Sequence, residues 1–401
     1  MIPEKALFIS GSIGLGHVIR DLAIARKLRN QYPGIELFWL AASPASSVIK
    51  DSGEKLLPEA ESYSDENVFA EDAASGSQLN LLKYLLNARP SWDHNAEIYK
   101  QVITREKFDL IIADEAYEIV MAWGDDQNAT KTPFVMIYDF LGLDSMTINP
   151  IEKLGIYFWN RLWSNDYDHD NPDLLELFIG ELEDIPDRSF GFRLPNRRDY
   201  ARKKYKFLGY VLNFDVEQYT DKAKARFELG YGDVPLVVCS IGGTTIGKNL
   251  LELCGSAYQI VKEEIPDLEM ILVCGPRLSE DSLTIPEGVK VFGYLPDLFK
   301  HFAASDLAIV QGGGNTTLEL TALRRPFIYF PLEQHFEQQI YVAGRLERQQ
   351  VGIKMTYSRT APDVLAGQII DNIGKEVTYP PIPSDGDQKA VQYIDQFLSA
   401  K

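Results

Sequence analysis

The chain has 401 residues, 45% of them hydrophobic and 24% charged, with 40 Lys and Arg against 58 Asp and Glu, a formal charge of −18. That length holds two domains of ordinary size, and the acidic excess excludes broad binding along a nucleic-acid backbone, which needs basic surface. A small anion held in a local pocket is not excluded.

No apolar run approaches the roughly 18 residues that span a bilayer. Met1–Ser10 reads as a short buried strand, without the charged flank and long apolar region of a signal peptide, so the cytoplasm is the expected location. Cys239, Cys254 and Cys274 are too few and too scattered for a disulfide framework or a zinc site, and read as reduced thiols.

In chain order, Ala6–Ser10 is an apolar strand that ends at Gly11-Ser-Ile-Gly-Leu-Gly16, and a helix carrying Leu22, Ala25 and Leu28 follows. Ile35–Ala41, Asp109–Ala113 and Phe134–Tyr138 read as further strands, with a helical pair interrupted near Pro90 over Gln78–Lys107. The second half repeats the theme. Leu236–Ser240 runs into Gly242-Gly-Thr-Thr-Ile-Gly247 and a helix with Leu250, Leu251 and Leu253; Glu269–Cys274, Lys290–Phe292 and Leu307–Val310 are further strands. Short apolar strands alternating with helices imply parallel sheets covered on both faces. The expected fold is α/β, two doubly wound Rossmann-like domains facing across a cleft. Residues 1–212 would form the first and 213–401 the second, joined near Gly209–Thr220, with the last helix a candidate to pack back on the first. In such sheets ligands bind beyond the carboxyl ends of the strands, where the Gly-rich turns lie.

The most informative stretch is Ala308-Ile-Val-Gln-Gly-Gly-Gly-Asn-Thr-Thr-Leu-Glu-Leu-Thr-Ala322. A strand runs through Gly312, Gly313 and Gly314 directly into a helix. Glycines let a phosphate approach the backbone, and the first helical N–H groups point at it unsatisfied. Asn315, Thr316 and Thr317 suit capping or phosphate oxygens. Glu319 would repel a diphosphate, so its carboxylate fits ribose hydroxyls better. An ordinary helix start with a Gly-rich approach is the plain alternative.

After this helix come a strand, Pro326–Pro331, and then Leu332–Gln339. The order resembles the donor-binding half of family 28 and family 1 glycosyltransferases of the GT-B type, including the bacterial N-acetylglucosamine transferases of lipid II synthesis. In that family an acidic residue six positions after a glycine holds the ribose, the spacing of Gly313 and Glu319. A Gln-Gln pair seven and eight positions after the strand-ending proline contacts the sugar, the spacing of Gln338 and Gln339 after Pro331. The resemblance also implies Tyr294 and the Leu295 backbone beside a uracil ring, Gly243 and Thr244 in the first donor-domain loop, and Arg277 as a cationic neighbour. Gly14-Leu-Gly16-His17 resembles the family's acceptor-side loop. The likeness covers about the last 170 residues well and the first 30 in part, and leaves most of Ser43–Lys206 unmatched. One departure is Arg324, where the family has a glycine; a left-handed cap there costs a non-glycine residue about 1 kcal/mol, so a different turn is expected. Gln311 stands near the histidine of the plant family 1 signature, which is absent.

The implied reaction is transfer of a sugar from a nucleotide diphosphate sugar, UDP-linked by the resemblance and with N-acetylglucosamine as a candidate sugar, to an acceptor hydroxyl. Inversion is implied by the family. A helix N-terminus and loop N–H groups can stabilise the leaving diphosphate without a metal, and neither a metal nor a cofactor is expected. His17, with an ordinary pKa of about 6.5, suits the general base, and Asp114 or Asp139 would orient or replace it. Asp168-His169-Asp170, the nearest approach to a metal motif, reads as a solvated loop. The aromatic Ile156–Trp163 fits a buried helix or a sugar-stacking surface. The basic Arg197–Lys206 fits a solvated face or a contact with anionic lipid or a phosphorylated acceptor. The acceptor itself, whether glycan, lipid-linked sugar or small molecule, is left open. Two other activities use the same architecture: epimerisation of a nucleotide-linked sugar, and binding of a sugar nucleotide without turnover. A dehydrogenase is disfavoured, since Ala41-Ala-Ser-Pro-Ala stands where a dinucleotide ribose needs an acid.

Overall fold

The computed structural model describes residues 2–11, 14–76, 78–123, 132–165, 167 and 171–401. The chain forms two compact units: Met1–Ala73 with Leu81–Asn213 and Pro383–Lys401, and Ala74–Asn80 with Phe214–Ile382.

The first unit is built on strands β1 (Lys5–Ile9), β2 (Glu36–Leu40), β3 (Lys55–Leu56), β4 (Leu110–Asp114), β5 (Phe134–Tyr138), β6 (Leu174–Phe178) and β7 (Lys206–Phe207). Their order is β3-β2-β1-β4-β5-β6-β7, and all pairs are parallel. Helices cover both faces, so β4 and β5 are buried at every residue and read as continuous apolar runs. The last helix, Gly386–Ser399, belongs to this unit: Ala390, Val391, Ile394 and Leu398, at helical spacing, join the core that Leu22, Ala25 and Leu28 enter from Gly16–Gln31. Tyr32 donates to Asp395 across that contact at 2.6 Å.

The second unit repeats the arrangement with β8 (Leu236–Ser240), β9 (Glu269–Val273), β10 (Lys290–Phe292), β11 (Leu307–Gln311), β12 (Phe327–Phe330) and β13 (Ile353–Lys354), in the order β10-β9-β8-β11-β12-β13. At the amino ends of its strands Asp306 accepts from Lys222 at 2.6 Å, from the Leu236 amide at 2.8 Å and from Arg226. Burial alone would raise this carboxyl; the hydrogen bonds from Lys222 and the Leu236 amide and the charge of Arg226 hold it below its ordinary value.

Two sequence expectations are corrected, and a strand the sequence reading missed is added. The helical pair over Gln78–Lys107 is a single helix, Leu81–Arg105, with Pro90 inside it. Pro90 and Leu86, whose carbonyl loses its helical donor, lie on the exposed side where water serves that carbonyl, while Ala88, Trp92, Ala96 and Tyr99 keep the buried stripe unbroken. Strand β6 was hidden by Glu176 in its middle, which is buried beside the Tyr138 hydroxyl at 3.4 Å. Arg324 does adopt the left-handed turn, at φ 52°. Its N–H donates to Thr321 O and the next N–H to Leu320 O, the paired bonds of a Schellman ending, which satisfy two carbonyls of the helix and outweigh the strain.

Replacing Asp306 by Ala strands the buried Arg226 and should cost the second unit about 3 kcal/mol. Because the folded carboxyl sits below its unfolded value, the contribution is present above about pH 4 and is lost as the pH falls through the folded value. Chemical unfolding of wild type and Asp306→Ala at neutral pH and near pH 3 measures both.

Candidate active site

In the first unit β1, β4 and β5 end side by side, with Ile9 opposite Ala113 and Asp114 opposite Ile137. Gly14, at φ +77°, turns the chain after β1, and its N–H donates to Asn67 at 2.7 Å. Residues 12 and 13 of this turn lie outside the described residues. Gly16 opens the following helix and His17 sits in its first turn. A Cβ on Gly11 would stand 3.3 Å from the His17 ring and 3.1 Å from Asp114 O, so the ring fits against a bare backbone.

His17, Asp114 and Asp139 are brought together, and they meet around a residue that sequence reasoning missed, Arg20. His17 Nδ1 is 3.0 Å from Asp114 Oδ2. Arg20 donates to both Asp114 oxygens, at 3.0 and 2.7 Å, and to Asp139 Oδ2 at 2.8 Å; its Nη2 also lies 2.8 Å from His17 Nδ1. Burial would discharge Arg20, but the charges of Asp114 and Asp139 hold its guanidinium protonated. Burial likewise pushes both aspartates up, and the Arg20 charge overrides it, holding both below the ordinary carboxylate range. Glu115 is the second missed residue. It sits at φ +51°, with Oε2 3.7 Å from His17 Nε2 and Oε1 accepting from Tyr117 at 3.1 Å. Burial, then the neighbouring charge of Asp139, raises its carboxyl well above the ordinary value. Arg20 lies one helical turn after His17, and that spacing was the available signal; Glu115 follows a candidate directly, and its left-handed backbone left no trace in the sequence.

Among the described residues, His17, Glu115 and Asp139 offer ligand atoms within 4.8 Å of one another and could face a cation. Arg20 already supplies positive charge at Asp139, so the group is better built as a proton and hydrogen-bond network. Asp168, His169 and Asp170 lie outside the described residues.

In the second unit the glycine-rich turns gather at the carboxyl ends of β8, β9 and β11. A Cβ on Gly275 would lie 2.1 Å from Gly242 O, so the turns after β8 and β9 touch through bare backbone. Gly243 is buried and Thr244 half-buried between them and the next helix. Gln311, with its NH2 turned toward them, donates to Ile241 O at 2.8 Å and Ile246 O at 3.0 Å, pinning the first turn to the end of β11. Gly312 presses on Pro331, where a Cβ would stand at 2.8 Å. Gly313 caps the helix Gly314–Ala322 in an extended conformation, and Thr317 folds back to donate to Gly313 O at 2.8 Å. Asn315 and Thr316 are half-buried in the first turn. Arg345, not singled out from sequence, braces this turn from behind, donating to Thr317 Oγ1 at 3.2 Å and Gly314 O at 3.3 Å.

Glu319 is half-buried, and among the described residues none donates to its carboxylate; burial alone pushes it up to about 8. Gln338 accepts from Leu332 N at 2.8 Å, and Gln339 donates to Pro331 O and Leu332 O at 3.0 Å. Each amide therefore spends one end on its own loop, and among the described residues the Gln338 NH2 and the Gln339 oxygen have no hydrogen-bond partner. Tyr294 is 44% exposed on the wall of an open depression that includes Gly275, Pro276, Leu278, Glu280 and Gly293. Leu295 and Arg277 are half-buried beside it in sequence.

Residues 237–382 match the glycosyltransferase family 28 C-terminal domain, which spans this whole set. An uncharacterized glycosyltransferase of Methanosarcina mazei is 33% identical over 101 residues, 25% of this chain and 26% of that protein. The chain thus matches such relatives over about a quarter of their length. The UDP-N-acetylglucosamine–N-acetylmuramyl-(pentapeptide) pyrophosphoryl-undecaprenol N-acetylglucosamine transferase of Alkaliphilus oremlandii is 22% identical over 92% of this chain and 90% of its own. Among solved structures, the calicheamicin glycosyltransferase CalG4 aligns with a TM-score of 0.62 at 12% identity, over 100% of this chain and 99% of its own. MurG of Acinetobacter baumannii aligns with a TM-score of 0.52 at 15% identity, over 99% of each chain. These structural likenesses show the GT-B fold.

The state of Glu319 has a thermodynamic signature. Its carboxyl is near 8 when folded against 4.5 as the ordinary value, so the folded chain holds the proton more tightly and stability falls as the pH rises through this window. Glu319→Gln should therefore gain thermal stability over wild type on going from about pH 5 to pH 9. A difference in Tm that does not change with pH would contradict the burial of an unpartnered carboxylate.

Proposed function

We propose that this GT-B chain, whose residues 237–382 are a glycosyltransferase family 28 C-terminal domain, transfers a glycosyl group from a nucleoside diphosphate sugar to an acceptor hydroxyl. The observation that carries the reading is the end of β11: bare glycine backbone, a helix N-terminus, and a desolvated carboxyl with no partner among the described residues, all inside the matched domain. The helix N–H groups, backed by Arg345, would stabilise the diphosphate. Glu319 would take the ribose hydroxyls, and the spare ends of Gln338 and Gln339 the sugar. Tyr294 would flank the base. A UDP-sugar is the first donor to test, with N-acetylglucosamine as the first sugar because the full-length relative is named for it.

The first unit would supply the base. Asp114 accepts best from His17 when Nδ1 carries the proton, and Nε2 is then left with its lone pair. Arg20 keeps Asp114 ionised, which favours that tautomer over the alternative in which Nδ1 accepts from Arg20 Nη2 at 2.8 Å; it acts as a positioning residue. The acceptor O–H gives its proton to His17 Nε2, and its oxygen bonds to the anomeric carbon. The bond from that carbon to the diphosphate oxygen breaks, and the nucleoside diphosphate leaves with the electron pair. One displacement inverts the anomeric centre, and no step in this scheme draws on a metal.

A labelled UDP-sugar with a panel of hydroxyl acceptors tests the reading, the expected result being label on a separate acceptor. His17→Ala should leave nucleotide affinity unchanged and slow turnover about 10²- to 10⁴-fold. Asp114→Asn should slow turnover in the same direction by favouring the wrong tautomer. Equal loss of nucleotide affinity in both variants would contradict this division of roles.

A further inference from the structure

Glu115 is the member of the His17 network that the proposed reaction leaves without a role. It follows β4 directly, in a left-handed backbone at φ +51° that strains any residue with a Cβ and that glycine adopts freely. Such strain persists only where the surroundings fix it. The Glu115 N–H donates to Ile137 O at 3.0 Å, and the Tyr117 hydroxyl donates to Glu115 Oε1 at 3.1 Å, leaving Oε2 as the oxygen that faces His17. The Tyr117 ring is held in turn by Phe140, at 5.6 Å, and by Trp163, at 5.3 Å. Trp163 ends the aromatic stretch Ile156–Trp163 on the helix Pro150–Ser164, which leaves Ile151, Leu154, Phe158 and Leu162 exposed and brings Trp163 to this cluster.

Three acceptor groups converge beside the imidazole. With Nδ1 turned to Asp114, His17 Nε2 keeps its lone pair, and Glu115 Oε2 stands 3.7 Å from it, too far for a hydrogen bond between the two. Asp139 gives Oδ2 to Arg20 at 2.8 Å, and its buried Oδ1 meets no N–H or hydroxyl among the described residues. One atom from each of His17, Glu115 and Asp139 lies within 4.8 Å of the other two, so a ligand oxygen among them would be about one hydrogen-bond length from each.

The supply of protons decides what fits there. A lone hydroxyl has one proton, and His17 takes it during transfer, so its lone pairs would be left facing carboxyl oxygens. The proton that Glu115 holds does not relieve this. Burial, then the charge of Asp139 and a hydrogen bond with it, raise the Glu115 carboxyl, so that proton is shared with Asp139. A second hydroxyl on the neighbouring carbon supplies the missing donor, because adjacent ring hydroxyls stand roughly one hydrogen-bond length apart. An ammonium group also brings several protons, but Arg20, at 2.8 Å from both Asp139 and His17, opposes a second positive charge.

We propose that Glu115 is a specificity-determining residue that accepts from a second hydroxyl of the acceptor, next to the hydroxyl whose proton passes to His17. The acceptor class is then a vicinal diol, as on a sugar ring, and not a lone alcohol or a phenol. The inference rests on the reading of this chain as a glycosyltransferase with His17 as base.

The test uses p-nitrophenyl glucoside, galactoside and mannoside, each with its monodeoxy and monoamino derivatives. Their binding to the full chain in the presence of UDP is titrated by saturation-transfer NMR, and label from a UDP-sugar is followed on the same panel. For at least one parent sugar, loss of one hydroxyl should lower affinity and kcat/KM about tenfold or more. Glu115→Gly, which suits the left-handed backbone, should shrink that difference to within about twofold while leaving Tm and UDP affinity unchanged. Glu115→Gln, which keeps a hydrogen-bonding end on Tyr117, should retain most of it. Parent and deoxy sugars that behave alike, a preference that survives Glu115→Gly, a stronger preference for an amino derivative, or no binding and no transfer across the panel would overturn the proposal. A Glu115-dependent binding preference without labelled product would instead overturn the transferase reading and leave the diol site standing. Label passing equally well to p-nitrobenzyl alcohol would leave the transferase reading standing and overturn the diol site.

Discussion

Two aspartates and a histidine, from separate parts of the first unit, are held against one buried guanidinium. Arg20 bonds Asp114 through both oxygens, reaches Asp139, and touches His17 Nδ1. Without that charge, the burial that surrounds both carboxylates would drive them toward the neutral form. With it, Asp114 remains an acceptor for the imidazole, whereas burial and then the charge of Asp139 push the adjacent Glu115 up in spite of Arg20. One fixed positive charge thus sorts four ionisable neighbours into distinct roles.

The second unit meets a different demand of the proposed function, a place for a diphosphate with almost no side chain in the way. Gly242, Gly275 and Gly312 lie where a Cβ would either meet backbone or sit in the left-handed region, so the turns after β8 and β9 close on one another and the turn after β11 closes on Pro331. Polar side chains brace them from behind: Gln311 on the first turn, Arg345 on the start of the helix, Gln338 and Gln339 on the loop after Pro331. Glu319 is the exception, a carboxyl that is desolvated yet unpaired among the described residues.

Much of this was legible because the chemistry is local. Parallel strands buried on both faces leave continuous apolar runs, so β4, β5, β8 and β11 stand out, and the turns that end them are marked by glycine. The Gly312–Thr317 turn carries strand, glycines and helix in one uninterrupted segment. What was hidden depends on tertiary neighbours. Arg20 looks like any helical arginine until Asp114, 94 residues away, arrives beside it. Glu176 disguises β6, and Pro90 suggests a break in a helix whose exposed side absorbs it. Arg197 reads as one member of a basic run, whereas Asp144 and the Leu143 carbonyl take it into the interior. The exposed face of Pro150–Ser164 could not be told from a buried one, since an apolar stripe looks the same whichever side it faces.

The central claim is that the turn at the end of β11 holds a nucleoside diphosphate, with Glu319 on its ribose. Calorimetric titration of wild type and Glu319→Ala with UDP, dTDP and GDP addresses it most directly. The account predicts that UDP binds and that the variant loses about ten- to a hundredfold in affinity, the worth of one charge-assisted hydrogen bond. Failure of all three nucleotides to bind the wild type, or unchanged UDP affinity in the variant, would contradict it.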